Sequence, residues 1–169
     1  VKFTYGDNSA EVDYLAIAGG RVPDIEVLGL DAAKVELDED GRIKVDQYQR
    51  TSNEKVYAIG DIVRGAALAH KAMEEGVVAA EHASGAETRP VNMDLIPGAT
   101  FCHPQVASVG LTEAQAKEAG HDVKTGKFKL GGVGAGSVYD DRDGMVKLVV
   151  EKEYGEIIGA HIVGNRACD

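Results

Sequence analysis

Two short stretches of this chain place hydrogen-bonding groups where a main chain can come close to a bound molecule. In the first, Tyr57-Ala58-Ile59-Gly60-Asp61, an apolar strand runs into a glycine and then a carboxylate. The missing side chain at Gly60 leaves room beside the backbone, and Asp61 can accept hydrogen bonds from hydroxyl groups. About seven residues on, an Ala-rich helix begins, and its first N–H groups are free to face an electron-rich group. Two roles fit this spacing: a carboxylate turned toward a hydroxylated ligand, or an aspartate that only caps a strand-turn-helix crossover. The second stretch is Val12 to Ala18, an almost continuous apolar run that breaks at Gly19-Gly20. A strand buried on both faces and ending in glycines is the usual place of ligand approach in an open α/β sheet.

Other candidate groups weigh less. Glu36, Asp38, Asp40 and Gly41 fall at the spacing of a calcium loop, but its twelfth position is Gln47, where a bidentate Glu is needed. The alternating flanks Val35-Glu36-Leu37 and Arg42-Ile43-Lys44-Val45 predict a β-hairpin instead. Gly132-Val133-Gly134-Ala135-Gly136 imitates a dinucleotide fingerprint. No helix is expected after it, because Ser137 to Gly144 reads as turn and Met145 starts a strand; a flexible sheet loop is predicted. Among the histidines, His70 at a helix start has the best functional case. His82 is expected on a solvated helix face, His121 in a loop, His103 as structural or interface-forming before Pro104, and His161 as a satisfied sheet histidine. No pair of histidines has metal-ligand spacing, and Cys102 and Cys168 are too far apart in sequence for a Cys-x-x-Cys site.

The elements that must position these groups divide the chain. Val1 to Tyr5 and Val12 to Ala18 read as strands around the turn Gly6-Asp7-Asn8-Ser9, and Pro23 to Asp31 as connection. Lys55 to Ile59 reads as a short strand. From Ala66 to Ser84, apolar Leu68, Ala69, Ala72, Met73, Ala79, Ala80 and Ala83 recur at helical spacing, with Lys71, Glu74, Glu75, Glu81 and His82 on the other face. Thr88 to Pro97, with two prolines and no period, is the best boundary. Beyond it, Ala99 to Cys102, Val106 to Gly110, Lys124 to Leu130, Met145 to Val150 and Ile157 to Val163 are strand-like. Between them lies one helix, Glu113 to Ala119, with Thr112 as N-cap, Gln115 completing a capping box and Gly120 past its end. The expected class is α/β passing to α+β: the end of a nucleotide-binding α/β domain, then an antiparallel sheet with flanking helices.

Composition removes several function classes. With 169 residues, 44% hydrophobic and 27% charged, the chain has the profile of a soluble globular protein. It holds no apolar run of about 18 residues, so no spanning helix is expected. A net charge of −10 argues against nucleic acid or an anionic membrane as partner. Two cysteines make no disulfide framework, so a reducing, cytoplasmic compartment is expected. The unusual count is 21 glycines, which points to backbone brought close to something.

These motifs resemble, in collinear order, the pyridine nucleotide–disulfide oxidoreductases, with the dihydrolipoyl dehydrogenase branch most similar. Thr51 to Asp61 looks like that family's second FAD-binding motif: Thr, a spacer, an aromatic residue, Ala, any residue, Gly, Asp. Its continuation through Leu68-Ala69-His70-Lys71 to Gly76 is similar to the lipoyl branch. Phe101 to Glu113 resembles the start of the dimerisation domain, and Asp143 to Val149 and Ile157 to Gly164 its later strands. Ala18 to Asp24 resembles the exit from the NAD domain. The sequence departs at Gly19, at Asp24 and across Leu130 to Asp141, where a glycine run replaces the usual segment.

The resemblance implies that Asp61 hydrogen-bonds a ribityl hydroxyl of FAD and that Gly60 gives it room. It places Leu68, Ala69 and His70 at the pyrimidine end of the flavin, and Gly20 against the nicotinamide nucleotide of NAD. It implies three parts: residues 1–30 from the NAD-binding domain, 31–95 from the FAD-binding domain, and 96–169 from a dimerisation domain. It further implies a homodimer and association with 2-oxoacid dehydrogenase complexes. The family's redox cysteine pair and its His/Glu acid–base pair have no counterpart here, and the chain opens on Val1. An internal portion of a longer enzyme is therefore expected, inactive and holding little FAD by itself, and prone to self-association. A glutathione or mercuric reductase, or a non-catalytic dimerisation module, are the alternatives.

Overall fold

The computed structural model describes residues 1–138 and 142–169, so the end of the segment from Leu130 to Asp141 lies outside the described residues. The chain begins with an antiparallel hairpin of β1 (Lys2–Tyr5) and β2 (Asn8–Glu11), paired up to Tyr5 and Asn8, which leaves a two-residue Gly6-Asp7 turn. The second strand is thus Asn8–Glu11 and not Val12 to Ala18. Beyond Val12, whose N–H reaches Val1, the chain is irregular, and Tyr14 and Ile17 are 92% and 88% exposed. The reason is pairing: a strand needs neighbours for its N–H and C=O groups, and no described strand lies beside this run. The connection after Pro23 contains a 3₁₀ turn, Glu26–Leu28, and the one-turn helix α1 (Leu30–Ala33).

The middle of the chain folds around a small core of Val35, Ile43, Ala58 and Val63, with Leu30, Val45, Val56 and Ile62 packed against it. Leu37 and Ile43 form an antiparallel bridge, and Asp38 N–H donates to the Arg42 carbonyl at 2.7 Å, so the acidic run is a hairpin. Asp38 Oδ1 accepts from the N–H groups of Asp40 and Arg42, and the Arg42 bond above all holds its carboxyl below the ordinary range. Arg64 clasps Asp38, Glu39 and Asp40 from outside. Among the described residues no cluster of His, Cys, Asp and Glu is placed to hold a metal. Lys55 to Ile59 makes one isolated bridge, Arg50 to Tyr57, and no strand ladder. Its backbone bonds go to the neighbouring turn, with Thr51 N–H to Val56 and Ala58 N–H to Gln49.

Helix α2 (Ala69–Ser84) starts three residues later than its apolar pattern predicts, since Leu68 is extended. It ends at left-handed Gly85, whose N–H and that of Ala86 close the last turn onto His82 and Glu81. The buried face differs from the expected one. Lys71, Glu75, Val78 and Ala79 point inward, while Met73 is 70% exposed. His82 is not on a solvated face: its ring stacks on Tyr48 at 4.6 Å, and its Nδ1 lies 2.8 Å from the Tyr57 hydroxyl.

The second half is one antiparallel sheet of β3 (Gly98–Thr100), β4 (Gln105–Gly110), β5 (Val123–Lys129), β6 (Met145–Glu151) and β7 (Ile157–Gly164). The strand order is β3-β4-β7-β6-β5. Helix α3 (Glu113–Glu118) carries the expected capping box, Thr112 and Gln115 each bonding the other's backbone, and buries Ala116. His161 bonds the Leu111 carbonyl and His121 sits in an exposed loop, as their positions predict. The glycine run is not a plain loop. It coils into a 3₁₀ turn, Leu130–Gly132, and the short helix α4 (Gly134–Val138). The segment is pulled back as Leu130 N–H bonds Gly144, and a Cβ at Gly131 would come 3.0 Å from the Arg142 carbonyl.

One ion cluster on this sheet yields a pH prediction. Glu113 lies between Lys117 at 2.7 Å and Lys147 at 2.9 Å, and their hydrogen bonds draw its pKa from the usual 4.5 down to about 2. A carboxyl with a depressed folded-state pKa stabilises above its unfolded value, and that contribution is lost as pH falls from 4.5 to about 2. In NMR titration, the Glu113 side-chain carbon is expected to show its midpoint near 2, moving up in Lys147→Met. A wild-type midpoint at the ordinary glutamate value refutes it.

Candidate functional site

Gly60–Ile62 forms a 3₁₀ turn at the end of the apolar stretch, and Gly60 has φ +80°, in the left-handed region that favours glycine. Both main-chain groups of Gly60 are held from below. Its N–H donates to Glu75 Oε2 at 2.8 Å, and its carbonyl accepts from Lys71 Nζ at 3.2 Å. Lys71 and Glu75, one helical turn apart, pair at 2.7 Å with side chains only 1% and 0% exposed. Charges so deeply buried persist only when paired and further hydrogen-bonded, and both conditions are met here. The Lys71 stem lies across Gly65, where an added Cβ would come within 2.7 Å of Cε. The pair therefore locks the turn to the first two turns of α2.

Asp61 rides on this clamped turn with a half-exposed side chain. Its carboxylate meets Arg21 at 3.4 Å, and Arg21 also donates to the Ala67 carbonyl at 3.2 Å. That contact draws the Gly20-Arg21 stretch to the same place. No side chain caps the start of α2, so the N–H groups of Ala69 and the next residues stay available, at the positive end of the helix. One region thus collects an acceptor for hydroxyls, a guanidinium and free main-chain donors. These groups fit the ribityl chain and electron-rich edge of a flavin.

Of the residues singled out from sequence, Gly60, Asp61 and Ala69 lie at this clamped turn and helix start, and Gly20 is tied to it through Arg21. Leu68 and His70 also line an apolar cavity of about 850 Å³ that reaches Val78, Pro97, Phe101 and Cys168. His70 Nε2 lies 2.7 Å from the Pro97 carbonyl. Sequence reasoning passed over Lys71, Glu75 and Arg21. The available signal for the first two was their i,i+4 spacing with opposite charges, which lets a buried stripe neutralise itself.

Comparison with known proteins places the chain. Residues 1–76 match the pyridine nucleotide-disulphide oxidoreductase family, and residues 96–169 match its dimerisation domain. A dihydrolipoyl dehydrogenase of Geobacillus stearothermophilus is 44% identical, covering 100% of this chain and 37% of the relative. One from Bacillus subtilis is 42% identical, covering 96% of this chain and 34% of the relative. A mercuric reductase of Staphylococcus aureus is 40% identical, covering 94% and 29%. The solved structure of LpdA from Mycobacterium tuberculosis superposes with a TM-score of 0.90 at 25% identity, over 96% of this chain and 35% of that one. The HOCl-induced flavoprotein disulfide reductase RclA of Escherichia coli, at 24% identity and a TM-score of 0.85 over 96% and 38%, shares the fold. The chain spans about a third of the length of the relatives it matches. With two models of one family matching its two halves in order, this chain belongs to the pyridine nucleotide–disulphide oxidoreductases.

Proposed function

We propose that this chain is the returning FAD-binding segment and interface domain of a flavin-dependent dihydrolipoyl dehydrogenase, a cytoplasmic homodimer serving 2-oxoacid dehydrogenase complexes. Residues 1–30 belong to its NAD-binding domain, 31–95 to its FAD-binding domain and 96–169 to the twofold contact. The observation that carries the reading is the Gly60 turn, fixed at both main-chain groups by a buried ion pair and presenting Asp61 beside the uncapped start of α2. Bound FAD supplies the two-electron relay between a dithiol and NAD. The chain's own residues hold and orient it. Asp61 accepts from a ribityl hydroxyl, Gly60 leaves the space, and Leu68, Ala69 and His70 line the pyrimidine end, where the helix dipole favours negative charge. Gly20 borders the nicotinamide nucleotide.

The mercuric reductase match supports a second reading within the same family, in which the parent enzyme reduces Hg(II). Chimeras test the two readings. In a chimera, residues 1–169 replace the matching third of the Geobacillus stearothermophilus enzyme, which contributes the remaining two thirds. The chimera is expected to purify yellow and dimeric, to form NADH from dihydrolipoamide, and to lose most of its flavin on Asp61→Ala. A folded chimera without flavin, or one that keeps it fully after Asp61→Ala, defeats the site. The second reading is tested by the matching chimera in the Staphylococcus aureus mercuric reductase, which supplies its own remaining segments: flavin-loaded Hg(II) reduction there, with no dihydrolipoamide turnover in the first chimera, selects it.

A further inference from the structure

We propose that Cys102 and Cys168 form a reversible intramolecular disulfide on exposure to a hydroperoxide, joining the β3–β4 connection to the chain beyond β7. The proposal does not depend on the flavin reading. Both thiols converge on one main-chain oxygen: Cys102 Sγ lies 3.7 Å and Cys168 Sγ 3.8 Å from the Thr100 carbonyl. Each has a second carbonyl contact, Pro104 at 3.1 Å for Cys102 and Val106 at 3.6 Å for Cys168.

The backbone converges on the same point. Thr100 pairs with Val106 where β3 meets β4, and Gln105 pairs with Gly164 where β4 meets β7. Cys102 N–H bonds the Thr100 carbonyl at 3.0 Å, and Cys168 N–H bonds Gln105 Oε1 at 3.1 Å. Residues distant in sequence are thereby tied to one end of the adjacent strands β3, β4 and β7, which limits the movement needed to reach disulfide geometry. Both cysteines are free thiols, Cys102 exposed and Cys168 partly so. Cys168 also lines the apolar cavity beside Phe101, which gives a small oxidant a way in.

The chemistry balances. One thiol attacks the peroxide, the O–O bond breaks, and a sulfenic acid and one water form (or an alcohol, from an alkyl hydroperoxide). The second thiol then displaces hydroxide from that sulfur, forming the S–S bond and releasing a water. Two sulfurs together lose two electrons and two protons, and the peroxide is reduced. A dithiol reverses the bond by exchange. Transient, redox-responsive bonds of this kind are those found in reducing compartments.

The test uses the full 169-residue chain. Treated with stoichiometric hydrogen peroxide, it is expected to drop from two titratable thiols to none and to lose two hydrogens in intact mass. It should remain a single chain on a non-reducing gel, yield one linked peptide pair containing Cys102 and Cys168, and regain both thiols with dithiothreitol. In Cys102→Ser and in Cys168→Ser, the remaining cysteine is expected as a dimedone-trapped sulfenic acid. Two thiols still titrating, oxygen adducts on the two sulfurs without a linked peptide, or disulfides only between chains would overturn it.

Discussion

Replacing Glu75 by Ala is expected to destabilise the chain by about 3–5 kcal/mol, among the largest losses available to one side-chain deletion here. The reason is what remains. Lys71 keeps its ammonium in a site 1% exposed, with the Gly60 carbonyl as its remaining polar partner among the described residues, and the Gly60 N–H loses its acceptor. An uncompensated buried charge costs far more than the ion pair stabilises, so the effect comes from orphaning and not from losing a bond. It follows that Glu75→Leu combined with Lys71→Met should recover much of the loss, because neither charge is left behind. Urea denaturation of the wild type, Glu75→Ala, the single variants Glu75→Leu and Lys71→Met, and the double variant measures this. Strict additivity of the two single variants, or a Glu75→Ala loss under about 1 kcal/mol, would show that the pair is not buried as described. A second readout separates stability from positioning: amide exchange at Gly60 should speed up in the double variant as well, since its acceptor is gone in both.

The second large effect is in the sheet. Gly110 has φ +73° and pairs with Gly159 where β4 meets β7. A Cβ at Gly110 would lie 3.0 Å from the Gly159 Cα and run into the Ile158 carbonyl, which already accepts the Leu111 N–H at 2.8 Å. The left-handed backbone costs a branched residue about 1–2 kcal/mol, and forcing atoms into a packed seam adds about 1–3 kcal/mol. Gly110→Val is thus expected to lose about 2–5 kcal/mol of stability. Gly126→Ala serves as control, because a Cβ there meets nothing within 4 Å and the strand conformation suits it. Equal melting temperatures for Gly110→Val and the control would refute the close approach. This seam also accounts for part of the high glycine content: Gly110, Gly144 and Gly159 all sit where a methyl would strike backbone.

The legible parts of the molecule were those ruled by local chemistry. The capping box at Thr112 and Gln115, the hairpin around Asp38, the end of α2 at Gly85 and most of the second-half strands follow from residues next to each other in sequence. Motif order likewise pointed to the family that the comparisons establish. What failed depended on neighbours distant in sequence. Val12 to Ala18 has the composition of a central strand, but no described strand pairs with it. Lys55 to Ile59 reads as a strand yet starts in a turn and keeps a single bridge. His82 carries no sign in sequence that Tyr48 and Tyr57 will enclose it.

Gly60 and Asp61 show where the division falls. Sequence by itself determined that a glycine and a carboxylate follow an apolar stretch and precede an Ala-rich helix, because residue type and spacing are properties of the chain alone. It left open whether Asp61 caps a crossover or faces a ligand. The tertiary structure decided how that turn is held. It buries Lys71 and Glu75, fixes Gly60 at both main-chain groups, and leaves Asp61 accessible beside an uncapped helix start. Charged residues read as solvated until a fold brings them together, since only mutual neutralisation away from water makes their burial affordable.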